Sequence, residues 1–548
     1  MTTNFIASLK QINIQLITYN KEISYFSFRE IVKTQAFECL YDGRKTIFTC
    51  NNAKQDYHNI KYSNNIKYPN EQSIIFLSKT DFTQLLIELY GDFITNFCLN
   101  TRQNTKSVKY FNFKKFKISC LLLSISLITL LCSHSYLSYL CIYFFRNTII
   151  SYYIICIFIK NYLLIRYFID NKNNCNKLSG QTEEICQIQA KLPKYTILVP
   201  MFHENETTIN QSVKSIEELK YPKDLLDVKF VLEADDIQTS SIFQNIKLPE
   251  YITIIFVPYF EPQTKPKACN FASIFATGEI LVIFDAEDIP NDNQLPAAAK
   301  QFNKNKNITI LQGCLSFYNY NHNLITECFN IEYLIWFKQI LASLSRSNIP
   351  FSLGGTSNHI RYSFLEKQYW DSYNVTEDLE LSVIADKNNA QIKHLNSDTK
   401  EWCVLTFKSF IKQRTRWIKG YLLTYFTHFF DYCHCKQSVE KTIFFHVFIG
   451  YSVLSFLLFP ILLLNLFFTK ENCLLTLIFG VNSIIYYFSY IVSYYLICKN
   501  CNIVITGKTI IAGIIYPFYF ILHVISAYKA FCEIFSKPFY WSKTKHLL

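Results

Sequence analysis

The 548-residue chain is long enough for two or three domains, and half of it is apolar and 17% aromatic. The apolar residues stand in blocks, which excludes one large soluble core and points to membrane spans. The net charge of +12 comes mostly from Lys and Arg outside those blocks, as on the cytoplasmic faces of membrane proteins. No nucleic-acid-binding module accompanies it, so no nucleic-acid partner is expected.

Residues 1–115 are soluble in character, and Met1 to Ser8 lacks the basic start and long apolar core of a secretory signal. Phe28 to Phe48, and then Ser73 to Leu77 with Asp81 to Tyr90, read as a small α/β unit. Residues 116–169 hold two transmembrane helices, near 118–140 and 147–168 with Arg146 at the turn. Their apolar run is about twice the ~20 residues that one span requires. A charged linker, 170–194, follows.

Tyr195-Thr196-Ile197-Leu198-Val199-Pro200 opens an α/β domain as a short buried strand, with Glu204 just beyond it. Thr207 to Lys220 has amphipathic helical spacing, with Ile209, Val213, Ile216 and Leu219 on one side. Asp227 to Leu232 is the next strand and ends in Glu233-Ala234-Asp235-Asp236. Ile252 to Val257 is a third, followed by Lys265-Pro266-Lys267-Ala268-Cys269-Asn270. Strand and helix alternating in this way indicate a mostly parallel sheet with sites at the strand C-terminal ends.

The apolar run Ile280 to Phe284 is closed abruptly by Asp285-Ala286-Glu287-Asp288. It reads as a buried strand that opens either into a solvated turn or into a site for a hard divalent cation, which prefers carboxylate oxygens. Residues 308–311 and 315–320 add strands, and Thr326 to Leu344 is an apolar, aromatic helix near the membrane. Gly354-Gly355-Thr356-Ser357 is a hairpin turn or a place where backbone approaches a ligand. Thr376-Glu377-Asp378 reads as a helix start capped by Thr376, where the helix dipole favours the anionic form of Asp378. Gln413-Arg414-Thr415-Arg416-Trp417 offers cations to phosphate and an indole face to a sugar or base, or else anchors the chain at a membrane interface.

Residues 419–430 are aromatic and too short to span, so an interfacial helix is expected. Residues 443–535 hold about three spans, at 443–468, 473–498 and 503–535, the last with Pro517 inside. An odd count puts the tail, 536–548, on the far side of the membrane. Lys537, Lys543 and Lys545 argue for the cytosolic side, and a cytosolic tail is the reading adopted. The 19 cysteines follow no regular framework. Cys433-His434-Cys435 and Cys498-Lys499-Asn500-Cys501 lack a second pair at zinc-finger spacing, so reduced thiols are expected.

In this order the clusters resemble the family 2 glycosyltransferases, and within them the membrane-embedded, processive cellulose-synthase-like and hyaluronan-synthase-like enzymes. Asp285-Ala286-Glu287 matches the family's Asp-x-Asp, with Glu in the second place and Asp288 directly behind it. Thr376-Glu377-Asp378 matches its Thr-Glu-Asp, and Gln413 to Trp417 its Gln-x-x-Arg-Trp. Glu204 matches the Glu of a Pro-x-x-Asn-Glu turn, with His203 in place of Asn. The resemblance covers about residues 195–420 and the flanking helices.

It implies an α/β fold: a GT-A-type nucleotide-sugar-binding domain over residues 195–418, flanked by transmembrane helices. It implies inverting transfer from a nucleoside-diphosphate sugar, UDP-linked, to a growing polysaccharide that is passed through the lipid bilayer. Asp378 would be the base, and Asp285 and Glu287 would hold Mg2+ or Mn2+. Glu204, Asp235, Asp236, Lys267 and Arg416 would face the donor, and Glu377, Gln413 and Trp417 the acceptor. The enzyme would be a multi-pass protein of the cell (inner) membrane, its catalytic domain facing the cytoplasm, with unknown partner subunits. Residues 1–115 resemble the N-terminal domain of type II secretion ATPases but lack the Arg-Leu-Gly and spaced Leu pattern of cyclic-dinucleotide binding, so a docking or regulatory role is expected.

Two other readings stay open. A transferase that adds one sugar to a lipid or lipid-linked acceptor is the enzymatic alternative. A non-catalytic transporter or scaffold would need buried charges within its helices, and the apolar blocks carry few.

Overall fold

The computed structural model describes residues 25–41, 44–50, 73–100, 106–132, 136–178, 192–434, 438–468 and 473–540. Residues 25–100 contribute helix α1 (Tyr25–Thr34), strands β1 (Ala36–Tyr41), β2 (Arg44–Cys50) and β3 (Ser73–Leu77), and helix α2 (Lys79–Asn100). β2 is central, antiparallel to β1 and parallel to β3. Phe28, Ile31 and Val32 fall at helical spacing and are buried. The Phe28 ring packs edge-on to Tyr90 of α2 at 5.5 Å.

Helices α3 (Phe113–Cys132) and α4 (Tyr136–Leu178) follow. The expected turn at Arg146 is not found: Arg146 lies inside α4 and is 4% exposed. Arginine is a good helix former, so one charge does not end a helix whose neighbours all favour it. Residues 179–191 of the expected linker lie outside the described residues.

Residues 195–401 form an eight-stranded mixed sheet in the order β6-β5-β4-β7-β10-β9-β11-β8. Its strands are β4 (Tyr195–Met201), β5 (Leu226–Glu233), β6 (Ile252–Val257), β7 (Ile280–Ile283), β8 (Ile289–Pro290), β9 (Ile308–Phe317), β10 (Asn358–Arg361) and β11 (Gln391–Glu401). β6, β5, β4 and β7 are mutually parallel, as the continuous apolar strands predict. The rest is mixed: β10 runs antiparallel to both β7 and β9, and β11 parallel to β9. Helices α5 (Glu206–Glu217), α6 (Lys265–Ser273) and α7 (Gln294–Lys304) cover the sheet. Two apolar cores, one on each face, bury residues from alternate positions of the same strands, such as Ile283 on one side and Val282 on the other.

Helix α8 begins as Leu324–Leu334, passes through a π turn at Ile335–Ile340 and ends as Leu341–Arg346. Helix α9 (Glu377–Lys387) carries the Thr-Glu-Asp cluster. Thr376 stands at its N-cap position, but its hydroxyl does not cap the helix; it donates to Asn374 Oδ1 at 3.2 Å. The expected interfacial segment 419–430 is the second half of one 28-residue helix, α10 (Phe407–His434). α10 crosses α9 at Gly420, where an added Cβ would lie 2.2 Å from Thr376 Oγ1. Only glycine allows this approach, which brings Gln413 to Trp417 beside Glu377 and Asp378.

Helix α11 runs from Val439 through a π turn, Ile443–Gly450, to Phe468; α12 is Cys473–Asn500 and α13 is Gly507–Ser536. Among the described residues four helices are long and apolar enough to cross a membrane, over Tyr139–Ile169, Val439–Leu464, Leu474–Asn500 and Gly507–Ser536. α3 begins with Lys114, Lys115 and Lys117 and then exposes Leu121, Leu122, Leu123, Ile125 and Ile128. α13 meets residues 321–322 near its start and α10 near its end. Lys508 Nζ donates to the Asn321 and His322 carbonyls at 3.3 Å. Lys419 of α10 lies 3.5 Å from Glu533 and donates to the Lys537 and Tyr540 carbonyls.

Candidate active site

The C-terminal ends of β4, β5 and β7 open into a cavity of about 480 Å3. Asp285 and Glu287 line it. Asp288 does not: it is 2% exposed, accepts the Asp285 N–H at 2.7 Å and takes the Thr356 hydroxyl on the same oxygen. Burial, and then the charges of Asp285 and Glu287, push its carboxyl well above the usual range. Asp288 therefore holds the turn from inside, while Glu287 faces the cavity. Glu401, at the end of β11, also lines the cavity, and burial with the charges of Asp288, Asp285 and Glu287 raises it too.

Lys265 is the residue that ties the motifs together. Its ammonium lies 2.5 Å from Asp285 Oδ1, 2.6 Å from the Gly355 carbonyl and 3.9 Å from Glu377 Oε1. Burial pulls it down, but Asp285 and Glu377 more than offset this and hold it above the usual lysine range. A Cβ added to Gly355 would stand 3.9 Å from Lys265 Nζ and 3.8 Å from Asp378 Oδ2, so both groups face the same glycine. Burial raises the Asp378 carboxyl, against the Leu379 N–H it accepts at 2.8 Å and the charges of Lys265 and Arg416. Burial also pushes Glu377 up to about 7. Arg416 is lowered by burial and supported by Glu377, Asp285 and Asp378, so it sits in the field of all three.

The donor-side expectations divide. Glu204 and Glu233 line the cavity. The expected Lys267 does not; its ammonium is buried and bonded at 2.7 Å to both oxygens of Glu233. Its helical neighbour Lys265 has the accessible position, because residues two apart on a helix face different ways. Asp235 is exposed outside the cavity and accepts from Gln263 at 2.9 Å. Asp236 is fully buried and N-caps the helix Ile237–Phe243. It also binds the His203 N–H at 2.6 Å. His203 has φ 52°, a left-handed conformation that Asn and His tolerate better than most residues.

On the acceptor side Gln413, Arg416 and Trp417 all line the cavity. Gln413 is 9% exposed and its Oε1 has no hydrogen-bond partner among the described residues. The Trp417 indole is backed by the Arg414 guanidinium at 4.6 Å and by the Tyr333 ring at 6.4 Å. Arg414, for which the sequence suggested no separate part, donates to Glu332 at 2.6 Å. Glu332 in turn accepts from Tyr519 of α13 at 2.8 Å. Beyond that network the same cavity continues between the membrane helices, past Tyr451, Tyr486, Tyr490, Tyr516 and His523. Among the described residues no three His, Cys, Asp or Glu side chains are grouped as a metal cage. Cys435 of the Cys-His-Cys cluster lies outside the described residues, and Cys433, Cys498 and Cys501 are free thiols.

Residues 196–362 match the model of Glycosyl transferase family 2. Residues 280–531, which reach through the membrane helices, match Glycosyl transferase family group 2. A probable glycosyltransferase, YdaM of Bacillus subtilis (strain 168), is 27% identical over 240 residues, which are 42% of this chain and 56% of that protein. The chain thus spans little more than half the length of this relative. Two solved structures are similar. The mannosyltransferase PcManGT from Pyrobaculum calidifontis, in complex with GDP-Man and Mn2+, is 14% identical with a TM-score of 0.39, covering 70% of this chain and 98% of that one. S. aureus TarS 1–349 is 15% identical with a TM-score of 0.33, covering 62% and 91%. The two family matches fall on the strands and helices that carry the site, so the regions that hold it are similar to family 2 glycosyl transferases.

Proposed function

We propose that the chain is an inverting, processive synthase that moves a sugar from a UDP-sugar to a growing polysaccharide and feeds the product into the membrane. The observation that carries this reading is the single cavity with Asp285, Asp378 and Arg416 at one end and tyrosines of the membrane helices at the other. Aromatic rings bearing hydroxyls suit a saccharide, which offers apolar faces and hydrogen-bonding edges. We assign the enzyme to the inner membrane with its catalytic domain towards the cytoplasm, where nucleotide sugars are made.

Transfer poses two electrostatic demands: negative charge grows on the departing diphosphate, and the acceptor hydroxyl must lose a proton. Asp285 and Glu287 face the cavity, and two further carboxylates feel their charge: Glu401 on the cavity wall and Asp288 buried behind the turn. Two carboxylates completed by phosphate oxygens are a set that suits Mg2+ or Mn2+. When bound, such an ion supplies Lewis-acid neutralisation of the leaving group. Lys265 and Arg416 add fixed positive charge in a site shielded from water. Asp378 accepts the proton of the acceptor hydroxyl, and direct displacement inverts the anomeric centre. Glu377 and Gln413 offer hydrogen bonds to acceptor hydroxyls, and the backed face of Trp417 leaves the other for a sugar ring.

The test is incubation of membranes with a panel of labelled nucleotide sugars and Mg2+ or Mn2+, followed by sizing and enzymatic digestion of the product. A polymer made from a UDP-sugar is expected. A lipid bearing one added sugar would overturn processivity, and no transfer from any donor would overturn the function.

A further inference from the structure

The chain from Lys265 to Asp285 is a closed loop. Its two ends meet in the active site through the 2.5 Å pair of Lys265 and Asp285. One arm is the nine-residue helix α6, about 13 Å long at 1.5 Å per residue. The other is the four-residue strand β7, about 13 Å long at 3.3 Å per residue. The bend between them, 274–279, lies at the far edge of the sheet from the chemistry.

The N-terminal unit grips that bend. Arg29 of α1 is 5% exposed, and its Nη1 donates to the Ile274 carbonyl at 2.5 Å and the Ala276 carbonyl at 2.9 Å. Its guanidinium lies 4.7 Å over the ring of Tyr362, whose hydroxyl donates to the Ser273 carbonyl at 2.8 Å. A cation at the C-terminal end of α6 satisfies carbonyls that the helix leaves open and complements its dipole. Phe28, fully buried, packs edge-on to Phe275 at 5.8 Å. From α2, Lys79 lies 2.6 Å from the buried Asp227, whose other oxygen accepts the Thr277 N–H at 3.0 Å. Gly278 closes the bend: an added Cβ would lie 2.4 Å from Thr196 N, so the loop lies directly against β4.

We propose that the N-terminal unit sets the active site through this loop, with Arg29 as a positioning residue that holds the bend so that Lys265 and Asp285 stay in register. The unit is then a regulatory handle on transfer, acting on the segment that carries a site residue at each end. This rests on the transferase reading of the site.

The full-length protein in detergent decides it by two readouts. The first is a double-mutant cycle on sugar transfer with Arg29→Met, Lys265→Met and both. Arg29→Met is expected to lower turnover ~10-fold, as small displacements of reacting groups do, with Arg29→Lys restoring part of it. In the Lys265→Met background, Arg29→Met is expected to add nothing. Effects that multiply would make Arg29 structural only and overturn the proposal. The second readout, amide hydrogen exchange, needs no activity. Arg29→Met is expected to speed exchange from the bend to Lys267 and Ala268 at the site end of α6. Faster exchange confined to residues 25–34 and the bend would overturn the proposal. A native protein that transfers no sugar would instead defeat the transferase reading, and the exchange result would still decide the clamp.

Discussion

Replacing Asp378 by Asn removes a proton acceptor and little else. Asp378 Oδ1 accepts the Leu379 N–H at 2.8 Å, and an amide oxygen of the same size accepts it equally well. The change also removes a carboxylate whose ionised form is penalised by burial, so the fold should lose at most about 1 kcal/mol, an ordinary cost for a substitution. A general base contributes ~10²–10⁴-fold, which at 1.36 kcal/mol per tenfold is about 3–5 kcal/mol of barrier. Single-turnover transfer from a labelled donor should therefore fall by at least ~10²-fold. Binding of the nucleoside diphosphate, measured on the same preparation, should stay near native or tighten slightly, because one negative charge has left the site. The pH profile gives an independent check. Only the ionised carboxylate accepts a proton, so native turnover should fall as pH drops through the raised range of Asp378, above that of an exposed aspartate. Glu377, held near 7 by burial, titrates on the same side; the residual rate of Asp378→Asn should lose the part of the slope that belongs to the base. Turnover within about threefold of native, against the ~10²-fold floor, would refute the assignment.

Chelation by EDTA should abolish transfer until Mg2+ or Mn2+ is restored, and full activity in chelator would remove the metal from the scheme. Asp285→Asn and Glu287→Gln should each stop transfer at saturating metal, whereas Asp288→Asn should lower the melting temperature more than metal affinity. The reverse order in a metal titration would exchange the roles of Glu287 and Asp288. Arg414→Met should destabilise the protein by about 2–3 kcal/mol, below the ~3–5 kcal/mol of a fully buried pair because Glu332 is a quarter exposed and keeps Tyr519 as a partner; a thermal or denaturant melt within about 0.5 kcal/mol, the scatter of neutral surface changes, would contradict it. A reporter fused after Leu548 should be active on the same side of the membrane as one fused at the N-terminus.

The parallel half of the sheet and the order of the site motifs were legible because they rest on local rules. Buried parallel strands read as continuous apolar runs, and their C-terminal ends must carry the polar groups. The choice of lysine was not legible, since Lys265 and Lys267 stand two residues apart in one motif. Only the register of α6, set by the Thr264 cap with Pro266 in the first turn, turns Lys265 to the cavity and Lys267 to Glu233. Glu401, Glu332 and Arg414 were missed for a different reason. Each meets its neighbours across the tertiary fold, where sequence separation carries no signal: Arg414 and Glu332 are 82 residues apart.

Helix α13 marks where hydropathy stops being informative. Its composition is that of a span, and counting it gave an odd number of crossings after the catalytic region, in conflict with the lysines of the tail. Phe410 of α10 packs on Tyr519 and His523 at 5.2 and 5.4 Å, and Lys419 meets Glu533 further along both helices, so α13 runs beside α10. α10 itself stays on the catalytic region, with His428 2.8 Å from Glu380 and Tyr432 bonded to Asp386. A 30-residue helix is about 45 Å long, enough to cross a membrane or to lie along its surface. Its inward side carries Thr509, Ala512, Gly513, His523 and Ser526, and its outward side Ile511, Ile514, Phe518, Ile521 and Ile525. An apolar outer face is what lipid demands of a helix lying in the interface as much as of one crossing it, so composition alone cannot tell the two apart. With α13 in the plane, α3 with α4 and α11 with α12 would make two hairpins and the tail would return to the side where its lysines belong; with α13 across the membrane the tail would lie opposite, and the reporter fused after Leu548 decides between the two.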